Sequence, residues 1–132
     1  MEIKIVTTNL NVTELINVTE RNEYKIYKAV NHSSISFKQY RILSNEREKY
    51  KSELDTMMLQ IKTTYAQKFH IVDISEQIID EYRKNILNNV CDVFDYIIIN
   101  YLKEKGITNF ISDDKDYLSI DGISLYTTYG SL

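Results

Sequence analysis

The chain has 132 residues, of which 43% are apolar and 27% charged, with a formal net charge of −3. This length and composition predict one globular domain over residues 1–132 and exclude a globally basic, nucleic-acid-binding surface. The single cysteine, Cys91, excludes an intrachain disulfide, and no apolar run approaches the roughly 20 residues that span a bilayer. We therefore expect a cytoplasmic protein without a membrane segment.

The first half of the chain is predicted to mix short strands with helices. Alternation and helical spacing predict a strand, a helix and a second strand, over residues 2–6, 10–18 and 24–30. Thr8 and Asn9 follow the first strand, where their side-chain oxygens can cap the helix. Residues 20–23 form a polar break. Two further helices, the first capped by Ser33 or Ser34, and a β-like segment follow, over residues 37–54, 56–69 and 70–74.

The last third of the chain carries most of the clustered acidic residues. Ser75 begins a helix that runs to about Leu87. Asp92 and Asp95 then stand one turn apart at the start of an apolar helix, which runs to Lys105 and is stopped by Gly106. A strand over residues 109–111 ends in SDDKD, residues 112–116, and a last strand covers residues 123–128.

Alternating strands and helices over this length predict an α/β fold, a three-layer α/β/α sandwich around a mainly parallel sheet. In such folds, ligand sites lie at the carboxyl ends of the strands. Asp95 and Asp114 would meet there and form an oxygen-rich site suited to magnesium or manganese. Simpler interpretations stay open: Asp95 as a helix cap, Asp114 and Asp116 as turn residues, and Asp92 and Asp113 as solvated or capping groups.

Charge is distributed unevenly along the sequence. Residues 38–51 carry five basic and two acidic side chains, whereas residues 92–121 carry seven acidic side chains and three lysines. The two stretches are either two solvated faces or an acidic metal pocket beside a basic ledge for a phosphate backbone.

Three segments resemble the PIN domain, the nuclease domain of VapC-type toxins and of several RNA-processing enzymes. In the C-terminal third, DYII at residues 95–98 and FISDDKDY at residues 110–117 resemble the family's helix-start Asp and its Ser/Thr-x-Asp-x-Asp-Phe/Tyr motif. More weakly, IVTTN at residues 5–9 resembles the opening Asp-Thr-Asn motif. HSSISFKQ at residues 32–39 resembles the turn that leads to a catalytic Glu.

The resemblance implies a metal-dependent endoribonuclease in which acidic residues hold one or two divalent ions. It assigns catalysis to Asp95, Asp114 and Asp116, and metal binding to Asp95 and Asp114. Two expected acidic positions are Thr7 and Gln39, so catalysis is expected to be weakened or lost and metal affinity to be low. The resemblance also implies four supporting residues: Thr8, Asn9, Asp92 and Ser112.

Two other functions compete with the nuclease interpretation. One is a non-catalytic pseudo-nuclease that binds RNA or a protein, and the other is an unrelated small α/β domain with acidic turns. By analogy with toxin-like PIN proteins, the expected partners are RNA, an antitoxin-like protein and a second copy of the chain in a homodimer.

Overall fold

The structure, a computed structural model, describes residues 5–64, 69–88 and 90–128. Its α-helices are α1 (Asn9–Val30), α2 (Phe37–Tyr40), α3 (Ser44–Thr64), α4 (Glu76–Asn85) and α5 (Val93–Glu104). Its strands are β1 (Thr7–Thr8), β2 (Phe69–His70), β3 (Asn109–Ile111) and β4 (Ser124–Tyr126), and a 3₁₀ helix covers Lys115–Ser119. The chain divides into two compact units, Met1–Ile71 and Val72–Leu132, which we call the N-terminal and C-terminal units.

The predicted three-layer α/β/α sandwich is wrong. In the described residues the strands form two separate parallel pairs, β1 with β2 and β3 with β4. Each strand is two or three residues long, and helices make up most of the described residues taken together. Strands this short offer too little apolar surface to build a central sheet with helices on both faces.

Helix α1 shows where the strand prediction failed. The predicted polar break at residues 20–23 and the predicted strand at residues 24–30 both belong to this 22-residue helix. Glu20, Tyr24 and Tyr27 are spaced three or four residues apart, so they share one helix face. Glu20 is buried, and both tyrosine rings pack on the ring of Tyr40, with centroids 5.4 and 5.5 Å apart. Burial of Glu20 and packing of the two tyrosines on one face therefore stabilise a helix, rather than a strand, over these residues.

The start of α1 agrees better with the prediction from the sequence that Thr8 can cap this helix. Thr8 is fully buried and caps the helix, accepting a hydrogen bond from the backbone N–H of Asn11. The Asn11 side chain accepts in turn from the Thr8 N–H at 3.2 Å, which completes a capping box. The predicted first strand is displaced, because β1 covers Thr7–Thr8 and no strand includes residues 5 and 6. Residues 2–4 of that prediction lie outside the described residues.

The long predicted helix over residues 37–54 is two helices. Ser36, rather than Ser33 or Ser34, caps α2, and its capping partner is Gln39. After the short turn at residues 41–43, α3 runs unbroken from Ser44 to Thr64, across the predicted junction at residue 55. The predicted helix end at residues 65–68 lies outside the described residues. Tyr50 ties α3 to α1, donating its hydroxyl hydrogen to the carbonyl of Ile16 at 3.0 Å.

The C-terminal unit follows the predicted element order. Ser75 caps α4, and Asp92 caps α5, whose buried residues form the core: Tyr96, Ile97, Ile98, Ile99 and Leu102. Gly106 follows the end of α5 with φ of +75°, as expected for a glycine helix stop. Strands β3 and β4 pair in parallel, with Phe110 opposite Leu125. Among the described residues, no helix combines the length and the apolar character needed to cross a membrane.

Candidate carboxylate site in the C-terminal unit

The first turn of α5 presents two aspartates with different roles. Asp92 is the N-cap, and its Oδ1 accepts a hydrogen bond from the backbone N–H of Asp95 at 2.9 Å. Asp95 therefore does not cap the helix. Its Oδ1 accepts a hydrogen bond of 2.7 Å from the hydroxyl of Tyr117, a buried residue of the 3₁₀ helix.

The segment after β3 is folded by its own side chains. Ser112 Oγ accepts from the N–H of Asp114 at 3.1 Å, and Asp114 Oδ1 accepts from the N–H of Asp116 at 2.9 Å. Asp114 is thus the N-cap of the 3₁₀ helix, as the turn interpretation expected. The side chains of Asp114 and Asp116 are exposed to solvent.

Cys91 lies between these two acidic segments. Its thiol donates to the carbonyl of Asp116 at 3.2 Å, and the hydroxyl of Ser119 donates to the same carbonyl at 2.7 Å. Burial raises the pKa of the Cys91 thiol, and the carboxylates of Asp95, Asp116 and Asp114 raise it further. A thiol that stays protonated is a poor nucleophile, so Cys91 is a buried structural residue. Because Cys91 directly precedes Asp92, its bond to the Asp116 carbonyl also holds the start of α5 against the segment after β3.

Asp113 has a separate, structural role. Its Oδ1 accepts hydrogen bonds from the Thr127 hydroxyl at 3.0 Å and from the Thr128 N–H at 2.8 Å. The Thr128 hydroxyl also bonds this carboxylate. These bonds, from Thr128 first and then Thr127, lower the pKa of Asp113. Asp113 therefore fastens the end of β4 to the turn after β3.

The remaining predicted site residues all lie in the N-terminal unit. Thr7 is in β1, and Thr8 and Asn9 begin α1. Gln39 is exposed, and its Oε1 accepts the backbone N–H of Ser36 at 2.8 Å as part of a capping box. Its amide oxygen thus has a local structural role, and neither Thr7 nor Gln39 supplies a negative charge.

The predicted basic ledge over residues 38–51 is largely neutralised within its own unit. Arg41 and Arg47 both bind the buried carboxylate of Glu20. Lys49 pairs with Glu46 and Lys51 with Asp55. Four of the five cations in this stretch therefore already have an anionic partner, which weakens the case for a phosphate-binding surface there.

The carboxylates of the C-terminal unit have the right oxygen atoms for a divalent ion, but they do not form a complete binding site for one. Asp95 and Asp114 are the residues that would hold it, through oxygen atoms of the kind magnesium prefers. Yet one oxygen of each carboxylate already accepts a protein hydrogen bond. Among the described residues, no group of three or more His, Cys, Asp or Glu side chains is arranged to hold a metal ion. An ion at this site would need water and a substrate phosphate to complete its coordination.

Tyr117 and Ser119 are the residues that the sequence interpretation left without a role. Tyr117 joins the two acidic segments, and Ser119 bonds the carbonyl of Asp116 and accepts from the N–H of Val90 at 3.3 Å. The apolar position three residues after Asp114 was a signal for burial of Tyr117. No pattern in the sequence indicated Ser119, because its contact with Val90 joins positions 29 residues apart.

Comparisons of this chain with protein-family models, with characterised proteins and with solved structures found no match. The family resemblance therefore rests on the short segments of sequence described above.

Proposed function

We propose that the C-terminal unit binds the phosphodiester backbone of RNA through a weakly held magnesium or manganese ion at Asp95 and Asp114. The observation that carries this proposal is the 2.7 Å hydrogen bond from the Tyr117 hydroxyl to Asp95 Oδ1. It draws the segment that contains Asp114 and Asp116 against the start of α5. The hydrogen bond of 3.2 Å from the Cys91 thiol to the Asp116 carbonyl holds the same two segments together.

A phosphate group would complete such a site. Two carboxylates together with waters and substrate phosphates are a common way for proteins to hold magnesium. The start of α5 adds the partial positive charge of a helix N-terminus, which favours an anionic ligand. The exposed Asp116 is the group that would orient a water molecule toward the phosphorus atom. When bound, the ion would neutralise charge on the phosphate and lower the pKa of its own water.

Cleavage of RNA is expected to be weak or absent. The PIN-like resemblance in the C-terminal third supports the nuclease class, but the two replaced positions, Thr7 and Gln39, remove two negative charges from that pattern. The amide of Gln39 is committed to a helix cap, which favours a second candidate function, a binding module without chemistry. The two candidates share the same carboxylates and differ only in whether the bound phosphodiester is cut.

The first prediction concerns Asp95→Asn, tested against a fluorescently labelled single-stranded RNA. Asparagine keeps the oxygen that accepts from Tyr117, so the fold is retained while one negative charge is lost. We expect affinity for RNA in manganese to fall about tenfold, as for the loss of an ion contact. Fluorescence anisotropy with manganese and with EDTA measures this change.

Asp121→Asn is the matched control, because it removes the same charge from an exposed position of the same unit. RNA affinity that is equal in manganese and EDTA, or equal in the two variants, would contradict the proposal. Gel analysis of the same samples separates the two candidates: manganese-dependent products that disappear in Asp95→Asn identify a nuclease. Intact RNA in the presence of metal-dependent binding identifies the binding module.

A further inference from the structure

Helix α1 carries an apolar stripe that its own unit leaves exposed. The exposed fractions of Leu15, Val18, Ile26 and Val30 are 41, 45, 55 and 72%. At 100° per residue, all four lie within about 80° of the direction of Asn22. The opposite face of the helix packs inward through Glu20, Tyr24 and Tyr27. The stripe therefore runs roughly 22 Å along the helix, from residue 15 to residue 30, with the polar Asn22 between its two apolar halves.

One flank of this stripe is mainly basic, and its acidic residue, the exposed Glu14 at about 80° from Asn22, lies at the N-terminal end. Arg21 and Lys25 are exposed and lie on the same side of the stripe, about 100° and 60° from Asn22. Lys28 lies further round on that side, with its ammonium 5.2 Å from the centroid of the Tyr24 ring. An apolar stripe with a one-sided row of cations is the surface that an amphipathic helix with acidic flanks complements.

The same charges disfavour a second copy of the chain as the occupant. An antiparallel two-fold pair centred on Asn22 places the same flank of both helices together. Arg21 and Lys25 of one copy would then face Lys25 and Arg21 of the other, which brings four like charges to the centre of the interface, whereas Glu14 lies about 12 Å from Asn22 along the helix. A nucleic acid is also disfavoured, because four apolar side chains would be pressed against a phosphate backbone.

The stripe ends in a cleft that suits a single side chain. The cleft has a volume of about 180 Å³ and is lined by Glu23, Ile26, Tyr27, Val30, Asn31, Glu46 and Lys49. Sites for small organic ligands are larger, typically about 300–1,000 Å³. Ile26 and Val30 belong to both the cleft and the stripe, so a helix lying along α1 can place one side chain there.

We propose that the exposed face of α1 is a docking surface for an amphipathic helix of a partner protein, with apolar residues on the stripe and carboxylates opposite Arg21 and Lys25. Asn22 lies at the centre of this face. A lone polar side chain in an apolar helix interface fixes the register of the two helices. This inference uses only residues of the N-terminal unit and is independent of the carboxylate site.

Two synthetic helical peptides of about 16 residues test the proposal with the full chain, a length that matches the stripe. Both carry leucines at helical spacing, and they differ only in flanking residues, glutamate in one and lysine in the other. We expect the glutamate peptide to bind at least about tenfold more tightly, by fluorescence anisotropy, with an affinity that falls as salt is raised. In the double variant Arg21→Glu with Lys25→Glu, the preference should reverse toward the lysine peptide.

Val18→Ser and Ile26→Ser should each weaken binding of the glutamate peptide, whereas Lys62→Glu, an exposed change on α3, should leave the preference intact. Circular dichroism establishes that each variant keeps its helix content. Equal binding of both peptides, or no reversal in the double variant, overturns the proposal. Self-association that Ile26→Ser abolishes would instead identify a second copy as the occupant, and RNA binding lost in the double variant would identify a nucleic acid.

Discussion

At the scale of single residues, Glu20 is the most constrained charge in the N-terminal unit. Its carboxylate is buried and accepts two hydrogen bonds from Arg41, at 2.9 and 2.6 Å, and another from Arg47. The guanidinium groups of Arg41 and then Arg47 hold the pKa of Glu20 below its usual value of 4.5, although burial opposes them. The two arginines also lie over aromatic rings, Arg41 over Phe37 and Arg47 over Tyr50. Glu20 thus connects α1 to the C-terminal end of α2, through Arg41, and to the first turn of α3, through Arg47.

Glu20→Gln should destabilise the chain. Glutamine keeps the size of the side chain but removes the charge that both arginines bind, and hydrogen bonds to charged groups contribute about 1.5–3 kcal/mol. We expect a loss of roughly 1–3 kcal/mol in the free energy of unfolding at pH 7, measured by urea denaturation. Glu53→Gln, an exposed change on α3, should alter it by less than about 0.5 kcal/mol.

The same residue predicts a pH dependence with a definite sign. The folded-state pKa of Glu20 is depressed, so its stabilisation is complete above the unfolded-state value of 4.5 and is lost as pH falls through the folded-state pKa. The stability difference between the natural chain and Glu20→Gln should therefore be constant near neutral pH and shrink below about pH 4.5. A difference that stays the same at about pH 3 would show that the charge of Glu20 is not what stabilises the fold.

At the scale of elements, the C-terminal end of α5 depends on one glycine. Gly106 has φ of +75°, and a Cβ placed there meets no atom within 4 Å. A residue with a side chain at position 106 would therefore cost backbone conformational energy, but its Cβ would not clash with any neighbouring atom. The N–H of Ile107 donates to the carbonyl of Leu102 at 2.9 Å, and that of Gly106 to Lys103 at 2.9 Å, so the turn satisfies the last carbonyls of the helix.

Gly106→Ala should lower the free energy of unfolding by about 1 kcal/mol, because alanine is disfavoured in the left-handed region. Gly106→Asn should cost less, because asparagine tolerates that conformation better than other residues with a side chain. Chemical denaturation of the two variants compares these costs. If alanine is tolerated as well as asparagine, the conformation of residue 106 is not what ends the helix.

The elements also show which sequence signals were reliable. Caps and stops depend on neighbouring residues, and the predictions at Thr8, Ser75 and Gly106 are confirmed. Asp92, which the sequence left open between a solvated and a capping group, is a cap, whereas the predicted cap at Ser33 or Ser34 was wrong because Ser36 caps α2. The prediction of a strand over residues 24–30 failed because the segment fits both an alternating and a helical pattern: Tyr24 and Tyr27 would lie on opposite faces of a strand but share one face of a helix. Only the packing of these rings on Tyr40 distinguishes the two.

At the scale of the whole molecule, the sequence order of elements did not decide the architecture. The predicted alternation of strands and helices implied one central sheet, but the described strands pair only as β1 with β2 and β3 with β4. Two units result, each with a core of its own: aromatic in the N-terminal unit, around Tyr40 and Tyr50, and aliphatic in the C-terminal unit, around Ile97 and Ile99.

The sequence by itself determined the features that depend on local chemistry. These are the helix caps at Thr8 and Ser75, the glycine stop, the apolar character of α5 and the grouping of acidic residues near its start and after β3. Only the tertiary structure showed which polar groups bond one another: Tyr117 with Asp95, Glu20 with two arginines, and Asp113 with the end of β4. These partners lie 15 to 27 residues apart in the sequence, and local propensity carries no information about such pairings.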